Sequence, residues 1–280
     1  MKYGTLLRIP VLDDIRGICD EKFAKLKELG LDCCQLVYKP RTYVLEDADI
    51  IKECAGRYGV EISAQFCGYY DYNCVWDTHY DYYLAGINSP IMGAGRLEYL
   101  MSAIPFMKRL GVKDMIIHAG FICNNPFSED YTRMLSCVRL LAGKLLKNDM
   151  NLLFETGGES PITMLRLIQD YGQGNLFVNL DTANLIMYGY GNPVDAIYTY
   201  GKYVRNMHAK DGMPPTDPHK FGKEVTIGTG YVDFERVIKD LTTLGYDRYI
   251  IIEREIRGGD QDQEIMKALR YLKGLVEKYR

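Results

Sequence analysis

The chain has 280 residues, a formal charge of −3 and no run of basic side chains. Neutralising nucleic-acid phosphates takes many clustered Lys and Arg contacts, so this balance excludes a non-specific nucleic-acid partner and leaves a small anionic substrate open. No apolar run approaches the roughly 20 residues that a membrane helix needs, which argues against a membrane partner. The eight cysteines include no CxxC pair, so buried, reduced thiols are expected. The first residues, "MKYGTLLRIP", are too short and too soon interrupted for a secretory signal, and a cytoplasmic location is expected.

In chain order, apolar runs that read as strands lie at 3–9, 33–38, 60–68, 114–120, 151–157, 176–185, 204–212 and 249–255. Segments of helical period alternate with them at 13–30, 46–59, about 96–110, about 128–148, about 161–171, from Pro193, at 232–245 and at 260–279. A long aromatic-rich loop, at about 68–95, follows the third strand. No turn signal is tight enough for a hairpin. Parallel neighbours need helical crossovers, so strict alternation implies a parallel sheet. Eight such units predict an α/β fold, a (β/α)8 TIM barrel occupying residues 1–280 as a single domain. The alternative, a doubly wound open sheet, usually carries a glycine-rich turn after its first strand, and "RIPVLDD" has none.

Chemistry in such a barrel collects where the strands end. The expected ends of strands four to eight carry His118, Glu155, Asp181, His208 and Glu253. Singly, each has an ordinary explanation: an exposed loop carboxylate, a helix cap at Asp181, a hydrogen-bonded core imidazole. On five consecutive strands they point to one shared polar site. Two Glu, one Asp and one His form a hard, oxygen-rich donor set. It suits a divalent metal, Mn²⁺ foremost, with Mg²⁺, Co²⁺, Ni²⁺ or Zn²⁺ as alternatives, better than a closed thiolate zinc site. A cation would also explain how Glu155 can end the apolar run in "NLLFETGG".

The segments "IHAGF" (117–121), "LLFETGGESP" (152–161), "VNLDTANLIMYGYGNPVDA" (178–196), "GKYVRNMHAKDG" (201–212), "GTGYVDF" (228–234) and "IIEREI" (251–256) run in the order of a known family. Through them the chain resembles the sugar phosphate isomerase/epimerase family of xylose-isomerase-like TIM barrels. That family includes ketose 3-epimerases, hydroxypyruvate isomerase and inosose dehydratase. The resemblance implies that Glu155, Asp181, His208 and Glu253 are metal ligands. It implies that Glu155 and Glu253 also exchange the proton at the reacting carbon, and that His118 lines the pocket. Asn184 stands where several epimerases have a substrate-contacting histidine. Lys210 and Asp211 match the "HAKDG" motif, whereas the familiar Gly-Glu-Gly reads Gly228-Thr229-Gly230.

The implied enzyme is a sugar or sugar-phosphate isomerase or epimerase. Removing a proton α to a ketone leaves an enediolate, which a metal can stabilise as Lewis acid. Return of the proton to the opposite face epimerises, and return to the neighbouring carbon isomerises. Loss of a β-hydroxyl dehydrates, so a keto-polyol dehydratase is the alternative. A non-catalytic carbohydrate-binding subunit would lack a ligand. A multi-zinc phosphodiesterase would need more than four histidines and less negative charge.

Two loops complete the expectations. In "GYYDYNCVWDTHYDYYLAG" (68–86), Trp76 can stack on a sugar ring, or the aromatics can form the interface of a homo-oligomer. In "EREIRGGDQ" (253–261), Arg257, helped by Arg254 or Lys210, can hold a substrate phosphate.

Overall fold

The computed structural model describes residues 1–10, 14–39, 41–68, 86–256 and 258–280. Eight strands close a parallel barrel: β1 (Lys2–Leu7), β2 (Cys33–Tyr38), β3 (Glu61–Cys67), β4 (Asp114–His118), β5 (Asn151–Glu155), β6 (Leu176–Asp181), β7 (Val204–Ala209) and β10 (Tyr249–Ile252). The first and last of these pair in register from Lys2↔Tyr249 to Thr5↔Ile252, which shuts the ring. Closure removes the exposed edges that an open sheet would have to protect.

Helices surround it: α1 (Ile15–Glu28), α2 (Asp47–Tyr58), α3 (Gly93–Met101), α4 (Ile104–Leu110), α5 (Glu129–Leu146), α6 (Pro161–Tyr171), α7 (Asn184–Met187), α8 (Pro193–Tyr200), α9 (Phe234–Thr243) and α10 (Gln261–Tyr279). Their starts follow local chemistry. Asp14, Ser128, Asn192, Asp233 and Asp260 each accept a backbone N–H from the first turn. Gly59, Gly111 and Gly172 end α2, α4 and α6 in the left-handed conformation. Two separate apolar regions result. Ala64, Ile116 and Leu153, with Phe66 and Phe177 against them, form one small cluster. The main core includes Leu36, Leu152, Val178 and Ile250 from the strands, with Phe23, Leu141 and Leu272 from the helices.

The structure departs from expectation in several places, among them the strand expected over 176–185, which ends at Asp181 with α7 starting at Asn184. The helix expected over 96–110 is two, α3 and α4, because Pro105 lies in the first turn of the second and cannot continue the first. With α3 starting at Gly93, the long loop after β3 also ends earlier than residue 95; its residues 69–85, Trp76 among them, lie outside the described set. An antiparallel pair was not expected, yet β8 (Asp211–Met213) pairs with β9 (Lys223–Val225) beside the rim. The seven described cysteines are free, and six of them are buried.

Candidate active site

The C-terminal ends of β4 to β7 and β10 bring the five rim residues together. His118, Glu155 and Asp181 are the last residues of their strands, His208 is next to last, and Glu253 follows Ile252 directly. Between β6 and β7 the register skips Arg205, so that Asn206 pairs with Asn179 and His208 with Asp181. Threonines lock the spacing. Thr156, after Glu155, donates to the Asp181 carbonyl and accepts the Asp181 N–H. Thr182, after Asp181, donates to the Lys210 carbonyl and accepts the Lys210 N–H.

Glu155, Asp181, His208 and Glu253 are all buried, and one donor atom from each lies within 4.8 Å of the others. His208 Nδ1 stands 3.3 Å from Glu155 Oε1, 3.9 Å from Asp181 Oδ2 and 3.1 Å from Glu253 Oε2. Lys210 Nζ is 3.1 Å from both Asp181 Oδ2 and Glu253 Oε2 and 3.0 Å from Glu255 Oε2. Asn184 Nδ2 donates to Glu155 Oε1 at 3.3 Å and to the Thr156 carbonyl at 3.1 Å. His118 Nε2 lies 3.5 Å from Glu155 Oε2, and its ring meets Phe66 edge-on.

Burial and crowding set the charges. Burial lifts Asp181 well above the usual carboxylate range, Lys210 opposing and Glu253 and Glu155 adding to it. Burial also pushes Glu253 up, but the Lys210 and His208 cations outweigh it and hold that carboxyl well below its ordinary value. Burial alone would lower His208; the Glu253 and Glu155 carboxylates overcome this and raise it to about 10.

This group fits a divalent cation. Glu155 Oε2 and Asp181 Oδ2 are buried without a hydrogen bond among the described residues, although the second lies within ion-pair reach of Lys210. Buried carboxylate oxygens left so are costly. Three oxygen donors and one imidazole converging there can hold a metal.

Glycine explains the loop after Glu155. Gly157 has φ of +155°, and a Cβ there would lie 2.6 Å from Tyr188 and 3.0 Å from Asn184 Cβ. Any side chain would push aside the helix that carries Asn184.

Several neighbours escaped the sequence reading. Gln35 Oε1 lies 2.8 Å from His208 Nε2. Glu255 holds Lys210 from the solvent side, and the Glu224 carboxylate accepts the Glu255 N–H. A glutamine inside the apolar run "CCQLVY" was the one available signal. Arg254, expected to assist a phosphate, is engaged by Glu224 and Glu264. Arg257 lies outside the described residues, and His219 is exposed. A cavity of about 650 Å³ beside α1 and α10 reaches Arg254 and Glu255 but none of the four candidate ligands.

With fold and site in view, comparison with known proteins assigns the class. Residues 23–275 match the model of the xylose isomerase-like TIM barrel family, and the chain belongs to that family. A xylose isomerase domain protein from Planctomyces limnophilus superposes with a TM-score of 0.89 at 26% identity, covering 99% of this chain and 98% of that one. D-psicose 3-epimerase from Clostridium cellulolyticum H10, crystallised with D-tagatose, shares the fold with a TM-score of 0.71 at 15% identity and 99% coverage of both chains. An uncharacterized protein of Methanocaldococcus jannaschii is 30% identical over 125 residues, which span 43% of this chain and 40% of its own length. No described helix is long and apolar enough to cross a membrane.

Proposed function

We propose that the chain is a divalent-metal-dependent isomerase or epimerase that moves a proton at a carbon α to a sugar carbonyl through an enediolate. The observation that carries this reading is the buried convergence of Glu155, Asp181, His208 and Glu253, with a Glu155 oxygen lacking a hydrogen bond among the described residues. Those four residues would hold the metal, for which manganese is proposed. When bound it supplies Lewis acidity to a carbonyl and an adjacent hydroxyl oxygen.

Glu155 and Glu253 carry the proton. Asn184 donates to Glu155 Oε1 and His118 lies near Oε2, so that one of these oxygens would hold the metal while the other would face the reacting carbon. Lys210 holds Glu253 through Oε2 and favours its ionised form. A carboxylate on each side of a planar intermediate can take a proton from one face and return it to the other. Positioning supplies much of the rate, because a metal-bound carboxylate is a weak base. His118, Asn184 and Lys210 complete the polar wall toward substrate. Trp76 and Arg257, both outside the described residues, are proposed to stack on the ring and to meet a phosphate where the sugar carries one. A cytoplasmic homo-oligomer acting on a small sugar or sugar phosphate completes the reading.

The test is solvent-deuterium incorporation, followed by NMR, into a panel of free and phosphorylated ketoses with Mn²⁺. Exchange at one carbon, abolished in Glu155→Gln and in Glu253→Gln, supports the reading. Loss of water from an added keto-polyol without such exchange would replace it with a dehydratase.

A further inference from the structure

We infer that Gln35 is a positioning residue that fixes the ring of His208 so that Nδ1, not Nε2, is presented to the metal. This rests on the metal-site reading above. Gln35 and His208 are both wholly buried, and they lie 173 residues apart in sequence. The glutamine reaches the histidine from β2, across the two intervening strands β1 and β10. Just before it the register with β3 skips Ser63, so Gln35 pairs with Ala64, a member of the small apolar cluster. An amide in such surroundings is costly to bury and is retained where it makes a specific bond.

Tautomer logic sets the direction of that bond. Three carboxylates face Nδ1, so a cation there needs the Nδ1 lone pair, and the ring proton must sit on Nε2. Gln35 Oε1, 2.8 Å away, is the acceptor for that proton. Phe66, with its ring centroid 5.9 Å from that of His208, limits tilting of the ring, and the amide fixes its rotation. Outer partners of this kind set both orientation and basicity of a metal-binding imidazole.

The experiment compares wild type with Gln35→Met, which keeps the volume without an acceptor, and Gln35→Glu, which keeps the acceptor. One readout is Mn²⁺ affinity of the metal-stripped protein, from electron paramagnetic resonance of free Mn²⁺. The other is the His208 Nε2–H signal in ¹⁵N-histidine-labelled protein, tractable with four histidines in the chain. Gln35→Met should weaken Mn²⁺ binding roughly 10- to 100-fold and lose the protected Nε2–H signal. Gln35→Glu should restore both. An unchanged signal and unchanged affinity in Gln35→Met overturn the inference. If wild type binds no Mn²⁺, the metal reading fails. The Nε2–H signal then decides alone: its loss in Gln35→Met supports the positioning role, and its persistence overturns it.

Discussion

Lys210 and Glu253 meet inside the barrel, nitrogen to oxygen at 3.1 Å, with both side chains almost wholly removed from solvent. The same ammonium serves Asp181 and Glu255, so it is the shared cation of three carboxylates. Removing one partner of a buried ion pair strands the others, which costs about 3–5 kcal/mol. Lys210→Met should therefore lower the urea midpoint sharply in metal-free protein. Added Mn²⁺ should recover part of the loss, because a divalent charge replaces the missing cation. An unchanged midpoint would show that the carboxylates are balanced by other means.

Asp211 acts on the loop rather than on the candidate metal ligands. Its carboxylate accepts four backbone N–H groups, from Gly212, Gly228, Gly230 and Val232, and so ties the segment after β9 back to the start of β8. A Cβ on residue 230 would stand 2.3 Å from Asp211 Oδ1. This accounts for Gly230 where Gly228-Thr229-Gly230 replaces the more usual motif. Asp211→Asn turns an amide donor toward donors and weakens charge-assisted bonds, at a cost of about 3 kcal/mol. Hydrogen exchange should accelerate across residues 212–232, with the barrel strands protected as before. Uniform loss of protection would refute a local clasp.

Periodicity carried the barrel because each strand is a short apolar run whose register needs no distant information. The rim cluster was readable for a related reason: His118, Glu155, Asp181, His208 and Glu253 stand at, next to or just past strand ends, where side-chain type alone marks them. What stayed hidden is tertiary. Gln35 acquires its meaning from His208, far along the chain, and the skipped residues Ser63 and Arg205 leave no mark on composition. The β8–β9 pair depends on a carboxylate that gathers N–H groups from beyond the turn, so no short turn signal announces it. The break at Pro105 was different, since the proline was visible and helical periodicity on both sides masked it.

Glu159 makes stability depend on pH. Its carboxyl is buried, and burial pushes it up to about 8 despite hydrogen bonds from the Gly157 and Gly158 backbone. The unfolded chain loses that proton near the ordinary value of about 4.3. Between those values the folded state binds the extra proton, so this contribution to stability is full below pH 4 and declines as pH rises toward 8. The slope approaches about 1.4 kcal/mol per pH unit. Glu159→Gln removes the titration. Its stability relative to wild type should therefore climb from pH 5 to pH 8, as read by urea denaturation at several pH values. A constant difference would mean that the carboxyl is ionised throughout.

Metal binding should itself appear as stability. A ligand taken up only by the folded state stabilises it by about 2.7 kcal/mol at a free concentration one hundred times Kd. Protein stripped with a chelator should regain a higher melting temperature as Mn²⁺ is returned, in proportion to the logarithm of its concentration. Asp181→Asn is the informative control. Asp181 Oδ1 accepts the N–H groups of Ala183 and Asn184, and an asparagine carbonyl can keep both bonds. Its Oδ2, which has no hydrogen bond among the described residues but lies 3.1 Å from Lys210 Nζ, would become an amide that cannot ligate. The variant should fold, melt below the stripped wild type because its amide faces the Lys210 ammonium, and respond little to Mn²⁺. If it responds as fully as wild type, the ion binds elsewhere, and the rim carboxylates are held by Lys210 and His208 alone.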